Sequence, residues 1–246
     1  MKSTLKEIEE RFDKDVARFS NLETGQLTTL DAAFNMELIT SSIAKIYKDQ
    51  PLRVLDIGCG AGNYVVKLLQ KKSDINITLS DLSQPMLDKA AERLQAMQQG
   101  AIDLRKGDFR LIQPAEGTFD VIMATAVLHH LRDDQDWETS FKGLYDLLNP
   151  GGTLWVFDLV EQHTEALQDY IYTELYGDYL TGLQDAAYRD AVFAYIQKED
   201  SPRSLMYQLN LLDAVGFKTV DLLHKNLCFA SYVAFKGQVI NKKLDL

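Results

Sequence analysis

The chain is poor in the residues that build special scaffolds. Its 246 residues include two cysteines, four histidines and five prolines. Two cysteines make no disulfide framework, and neither has the spacing of a metal site. Four scattered histidines without a Cys/His cluster suggest no metal either, so none is expected. No hydrophobic run approaches the length of a membrane span. The first residues, Met1 to Glu7, lack the apolar core of a signal peptide. A cytoplasmic, reducing setting without a membrane partner is the resulting expectation. Positive charge is also scarce: 26 Lys and Arg face 36 Asp and Glu, a formal net charge of −10. That balance repels a polyanion, and no basic stripe interleaved with aromatics offsets it, so direct nucleic-acid binding is not expected. The strongest basic cluster, Lys71-Lys72, reads as a helix end, where cations suit the dipole. Apolar residues are plentiful, at 46% of the chain, which suffices for a large core in one α/β domain with an added cap.

One stretch carries most of the chemistry. Val54-Leu55-Asp56-Ile57-Gly58-Cys59-Gly60-Ala61-Gly62-Asn63 reads as a buried strand, a glycine turn and the start of a helix. Parallel α/β folds bring a nucleotide-like ligand to the backbone at such a turn. Gly58 and Gly60 lack a Cβ, so the chain can turn sharply and a ligand can reach its amides. A dinucleotide fingerprint wants Gly or Ala at the third position, where Asn63 stands here. A carboxylate at Asp56 would repel a pyrophosphate but suits an amino group or a sulfonium. The loop therefore favours S-adenosylmethionine (SAM) and leaves NAD(P) as the alternative. The next strand, Ile75 to Ser80, ends on Asp81, near the spacing at which an acid meets a ribose hydroxyl pair. Ser83 precedes Pro85 and the helical pattern Met86, Leu87, Ala90, Ala91, Leu94, so it can cap that helix. Cys59 reads as a small packed residue.

Four segments in order, VLDIGCGAGN, SDLSQPML, FDVIMATAVLHHL and LNPGGTLWVFD, resemble the successive motifs of class I SAM-dependent methyltransferases. The likeness is strong from Leu52 to Asp158, looser in the flanks, and nearest to small soluble members acting on small molecules. It implies a Rossmann-like sheet of seven strands with helices on both faces and one antiparallel strand near its end. It also implies that Asp56, Gly58 and Gly60 hold the methionine part of SAM and that Asp81 grips the ribose. Leu82 and Met86 would pack near the adenine, Asp108 and Phe109 would meet its edge, and Ala124 and Thr125 would end the fourth strand beside the methyl group. S-adenosylhomocysteine is the implied product.

The flanks carry their own patterns. Leu5, Ile8, Phe12, Val16 and Phe19 recur at three and four, which predicts one amphipathic helix across them. A second helix is predicted from about Thr28 to Tyr47, stopping before Pro51. Together, residues 1–50 form the expected helical cap and 51–246 the expected SAM-binding domain. Beyond Asp158 a helical stretch at about 160–202 carries Tyr170, Tyr172, Tyr176, Tyr179, Tyr188, Phe193 and Tyr195. It falls where the resembling family inserts a lid, and a lid excludes water and completes a site. Leu205 to Val215 reads as the last helix, ended by Gly216, and 217–223 and 227–235 as a closing hairpin.

The expected activity is methyl transfer from SAM to a small-molecule acceptor, with the protein mainly aligning the acceptor. His129 and His130, just after the fourth strand, are weak candidates for a general base; the catalytic residues are otherwise open. Tyr176, Arg189 and Tyr195 are the substrate-side candidates. The order of cap, core, tyrosine-rich lid and hairpin is also similar to carboxy-SAM synthases, which use SAM and prephenate. Those enzymes need a lid arginine, for which Arg189 or the nearby Arg203 would serve. A non-catalytic SAM- or NAD-binding regulator is the alternative from another class. Aminopropyl transfer would need acids arranged around a polyamine, and no such constellation is visible. The oligomeric state, monomer or homodimer, is open.

Overall fold

The computed structural model describes residues 2–21, 26–95, 97, 101–112 and 118–237. The end of the expected SAM-binding domain, 238–246, lies outside the described residues. Seven strands form one sheet: β1 (Leu52–Ile57), β2 (Ile75–Asp81), β3 (Ile102–Lys106), β4 (Phe119–Thr125), β5 (Leu148–Leu159), β6 (Thr219–Asn226) and β7 (Phe229–Phe235). Their spatial order is β3-β2-β1-β4-β5-β7-β6. The first five pair in parallel, while β7 runs antiparallel to both β5 and β6. This is the mixed seven-stranded sheet that the resemblance implied.

Burial on both faces explains the apolar strands. Leu52 and Val54 face one core with Ile39, Ile43, Leu68 and Leu87. Leu55 and Ile57 face the other, with Trp137, Phe141 and Leu212. Strands covered on both sides read as continuous hydrophobic runs. The first core takes α3 (Ala32–Ile46), α4 (Asn63–Leu69) and α5 (Gln84–Gln95); the second takes α6 (Asp134–Leu147) and α10 (Leu205–Val215). The strand order reverses between β1 and β4, and ligands of open α/β sheets bind outside the carboxyl ends of strands at that point.

The N-terminal segment corrects one expectation. A single helix over Leu5 to Phe19 is predicted, but the chain forms α1 (Leu5–Phe12) and a short α2 (Val16–Phe19). The break lets the Phe12 and Phe19 rings fold together at 5.5 Å. It also turns Asp13 toward the sheet, where it accepts a 2.5 Å hydrogen bond from Ser83 Oγ. Tertiary contacts thus override the helical period. The second cap helix also starts later than expected, at Ala32, because Asp31 adopts a left-handed φ of 58°. The expected caps are in place: Ser83 Oγ accepts from the Met86 amide at 3.3 Å, and Gly216 ends α10 in the left-handed region.

Between β5 and α10 lie α7 (Glu165–Gln168), a π-helical stretch Asp169–Tyr176, α8 (Gly177–Leu183) and α9 (Ala186–Glu199). Their tyrosines join the main core: Tyr176 is buried and packs on Phe229, and Tyr172 packs on Phe193. Tyr176 Oη donates to the Thr28 carbonyl at 2.8 Å and Tyr179 Oη to that of Leu27 at 2.7 Å, tying this segment to the chain before α3. The N-terminus reaches the far end of α9. Ser3 Oγ and Arg11 Nη1 each donate to Glu199 Oε1 at 2.6 Å, and Arg132 bridges the Ser3 and Glu199 carbonyls.

Candidate functional site

The glycine turn at the end of β1 is built from left-handed residues. Gly58, Gly60 and Gly62 have φ of 61°, 50° and 75°. At Gly58 the requirement is double, because a Cβ would also stand 2.5 Å from Val127 Cγ2. Val127 belongs to the turn after β4, so β1 and β4 approach each other there only because residue 58 has no side chain. The Gly60 amide donates to Asp81 Oδ2 at 2.8 Å and the Ser83 amide to Asp81 Oδ1 at 2.9 Å. Asp81 thereby links the turn after β1 to the start of α5.

A cleft opens above these strand ends. It is lined by Gly58, Gly60, Asp81, Leu82, Met86, Asp108, Phe109 and Thr125. Two expected residues lie off its wall: Asp56 and Ala124 are both buried within their strands. Asp108 does reach it, yet its carboxylate is already engaged by Arg110, whose Nε and Nη2 donate at 2.9 and 2.5 Å. Leu5, Ile8 and Phe12 of α1 and Phe19 of α2 close the opposite wall.

The electrostatics beneath the cleft are unusual. Asp56 is fully buried, and desolvation together with the Asp81 charge pushes its carboxyl well above the usual carboxylate range. Burial also raises Asp81, against the pull of the amides of Ser83 and Gly60. Asp56 Oδ1 and the hydroxyl of Tyr64, which lines the cleft, are buried without a hydrogen-bond partner. Such orphaned groups carry a cost unless something polar meets them. Burial holds the Cys59 thiol far above its usual range, so it is an inert packed residue, as its small size suggests.

A second cavity of about 480 Å³ adjoins the cleft. The two share Phe12, Phe19, Gln26, Ala126 and His130. Its remaining wall comes largely from the helices after β5, through Tyr176, Tyr188, Val192, Tyr195, Ile196 and Asp200. Tyr176 and Tyr195 therefore sit where the acceptor side is expected. Arg189 does not: its guanidinium pairs with Asp190 at 2.8 Å, and it is not among the lining residues. Arg203 likewise pairs with Asp134, outside the cavity. The guanidiniums on the wall are those of Arg11, paired with Glu199, and Arg18, paired with Asp15.

The His129-His130 pair stands where cleft and cavity meet, in a 3-10 turn after β4. Asp158, at the end of β5, organises that turn. Its Oδ2 accepts from the Leu128 amide at 2.7 Å, and its Oδ1 meets His129 Nδ1. On the other side lies Asp200, whose Oδ1 is 3.8 Å from His129 Nε2 and 3.1 Å from His130 Nδ1. Burial alone would lower His129, but the charges of Asp158 and Asp200 outweigh it and raise its pKa to about 9. Burial and the neighbouring His129 charge lower His130. The two adjacent rings are thus driven in opposite directions. Sequence reading placed Asp158 at a strand end without linking it to His129, and had no signal for Asp200, 71 positions beyond His129 in the sequence.

A family profile described as a methyltransferase domain matches residues 54–152. A carboxy-S-adenosyl-L-methionine synthase of Helicobacter pylori strain Shi470 is 30% identical over 203 residues, covering 80% of this chain and 81% of the relative. The chain belongs to the class I SAM-dependent methyltransferase superfamily. It is a SAM-dependent enzyme, and SAM is the cofactor of this superfamily. A carboxy-S-adenosyl-L-methionine synthase of Campylobacter jejuni strain NCTC 11168 is 28% identical over 211 residues, 82% of this chain and 84% of the relative. Among solved structures, a phosphoethanolamine N-methyltransferase of Haemonchus contortus, in complex with phosphomonomethylethanolamine and S-adenosylhomocysteine, shares the fold. Its TM-score is 0.66 at 14% identity, over 96% of this chain and 61% of that one. Among the described residues no helix is long and apolar enough to cross a membrane.

Proposed function

We propose that this superfamily member transfers the methyl group of SAM to a small-molecule acceptor held in the 480 Å³ cavity. The observation that carries the reading is the junction of the two spaces: a cleft over the glycine turn opens, past His130 and Ala126, into a tyrosine-lined cavity of small-ligand size. The turn at Gly58 and Gly60 lets backbone amides approach the cofactor. Tyr64 Oη, buried and unpartnered on the cleft wall, is a polar group that its methionine end would satisfy; Asp56 Oδ1 is also unpartnered but lies off that wall. Asp81 would take the ribose hydroxyls, with Leu82, Met86 and Phe109 against the adenine. Asp108 would reach the adenine edge only by sharing the hold that Arg110 has on it. SAM supplies an already activated methyl, so the protein's task is alignment and exclusion of water. The helices over 160–202 act as the lid, with Tyr176 and Tyr195 fixing the acceptor, and residues 1–50 act as the cap.

A second reading, formation of carboxy-SAM from SAM and prephenate, is favoured by relatives matched over about four fifths of their length. It calls for a guanidinium free to hold the added carboxylate. Arg18 on the cavity wall pairs with Asp15 at 2.7 Å, and Arg11 pairs with Glu199 at 2.6 Å through Nη1 alone, which leaves its buried Nε and Nη2 without a partner. Arg11 is thus the group on which the second reading would rest, and the product decides between the two. The test is mass spectrometry of reactions containing the protein and SAM, with either prephenate or a panel of small phenols, amines and carboxylic acids. A methylated product with stoichiometric S-adenosylhomocysteine is expected. Carboxy-SAM made only when prephenate is present would overturn the reading in favour of the second.

A further inference from the structure

The pair of histidines and Asp200 have a property that neither packing nor the glycine turn requires. Three ligand-bearing atoms, one each from His129, His130 and Asp200, lie within 4.8 Å of one another. His130 Nδ1 and Asp200 Oδ1 are buried and stand 3.1 Å apart, yet neither has a hydrogen-bond partner in acceptable geometry. Two buried polar atoms this close whose geometry makes no good hydrogen bond carry a cost. A cation between them removes that cost. Donor atoms around an ion with bonds of about 2.0–2.2 Å stand roughly 3–3.5 Å apart, close to the 3.1 and 3.8 Å found here.

The surroundings of His129 strengthen the case. Its Nδ1 is held by Asp158, which leaves Nε2 as the nitrogen turned toward Asp200. A carboxylate behind a ligating histidine is the usual outer support of a metal site, because it fixes the tautomer and the ring direction. Asp158 is itself fixed by the Leu128 amide and by its own place in β5. Two imidazoles and one carboxylate suit a divalent first-row transition ion and leave further coordination positions open. All three residues line the 480 Å³ cavity, so those positions face the space where the acceptor is placed.

We propose that His129 Nε2, His130 Nδ1 and Asp200 Oδ1 bind one divalent transition-metal ion at the junction of cleft and cavity, with Asp158 as the positioning residue behind His129. Resting on the methyl-transfer reading, the ion would bind a hydroxyl oxygen of the acceptor and lower its pKa, so that its proton passes to solvent without a free histidine base, the oxygen forms the new O–CH3 bond, and the S–CH3 electron pair leaves on S-adenosylhomocysteine. Acceptors methylated on a hydroxyl are the class that fits. The binding itself does not depend on that reading.

The experiment is calorimetric titration of zinc chloride into chelator-treated, buffer-exchanged full-length protein, repeated with cobalt chloride while recording the visible spectrum. One ion per chain is expected, with cobalt absorption bands that report nitrogen ligation. Asp200→Asn and His130→Gln should each abolish saturable binding. Asp158→Asn should weaken it about 10–100-fold. His163→Ala, a histidine outside the cluster, should change nothing. Circular dichroism and S-adenosylhomocysteine binding confirm that each variant is folded; should Asp200→Asn not fold, His130→Gln decides. No saturable binding by the wild-type chain, or equal affinity in a folded His130→Gln variant, would overturn the proposal. Either result would leave the methyl-transfer reading intact, because the calorimetry involves no methyl transfer.

Discussion

The cleft and the cavity beside it are assembled in different ways. The cleft is local: Gly58, Gly60 and Asp81 come from two successive strand-to-helix turns, and hydrogen bonds from the Gly60 and Ser83 amides to Asp81 join them. The cavity is assembled at long range, where Arg11 meets Glu199, His129 meets Asp158 and Asp200, and Tyr176 reaches the chain before α3. A local site tolerates little change in its backbone. A long-range one depends on a few buried charges holding distant segments together.

The sharpest way to break the local half is Gly58→Ala. The left-handed φ of 61° costs a side chain about 1–2 kcal/mol. The contact with Val127 at 2.5 Å adds about 1–3 kcal/mol of overpacking. Denaturant unfolding should show a loss of about 2–5 kcal/mol, and calorimetry a parallel loss of S-adenosylhomocysteine affinity. Gly107→Ala is the contrast: its φ is also positive, but a Cβ there meets nothing within 4 Å, so only the backbone cost should appear.

The long-range half breaks at Glu199. Removing it in Glu199→Ala leaves Arg11 and Ser3 without their partner, at a cost of about 3 kcal/mol, the lower end for a buried pair because Arg11 is partly exposed. The pH dependence follows from sign. Burial would raise the Glu199 carboxyl, but Arg11 and Ser3 hold it below its ordinary 4.5. Its contribution is therefore complete above about pH 4.5 and is lost as the pH falls through the lower folded value. Melting temperatures of wild type and Glu199→Gln should differ at neutral pH and converge in acid. A gap that stayed constant with pH would show that the pair is not the linkage.

A smaller effect on the cleft is expected from Asp81→Ala. Bonds to a charged acceptor are worth about 1.5–3 kcal/mol, so S-adenosylhomocysteine should bind roughly ten- to a hundredfold more weakly in calorimetry. The smallest effect is expected from Tyr195→Leu. It removes the ring under the Arg11 guanidinium, 4.8 Å from its centroid, for about 0.5–1 kcal/mol of stability by denaturant unfolding. If Tyr195→Leu proved as costly as Glu199→Ala, the brace would rest on stacking rather than on charge.

The same contrast explains what could be read from the chain alone. The strand, glycine turn and helix start occupy contiguous residues, so their order and spacing give away Gly58, Gly60 and Asp81. The closing hairpin and the capping roles of Ser83 and Gly216 follow from equally local signals, while the antiparallel placement of β7 beside β5 was implied by the family resemblance. The break at Asp13 to Asp15 was invisible, because the period of three and four runs unbroken to Phe19 and only the Ser83 contact makes the interruption worthwhile. His129 and His130 stood out as residues, but their partners did not: Asp158 and Asp200 lie 29 and 71 positions beyond His129. Arg189 falls where a lid arginine is expected, yet it turns to its neighbour Asp190, whereas Arg11, on the face of a predicted helix, stands on the cavity wall.

The brace between α1 and the end of α9 has a consequence for how the protein is made. Ser3 and Arg11 leave the ribosome early, but Glu199, their shared partner, follows 196 and 188 residues later. At roughly 5–20 residues per second that interval is on the order of 10–40 s. Throughout it α1 has its own capping box but not the carboxylate that Ser3 and Arg11 bind. The pairing of α1 with Glu199 therefore forms only after the intervening residues have emerged, although α1 itself is made long before.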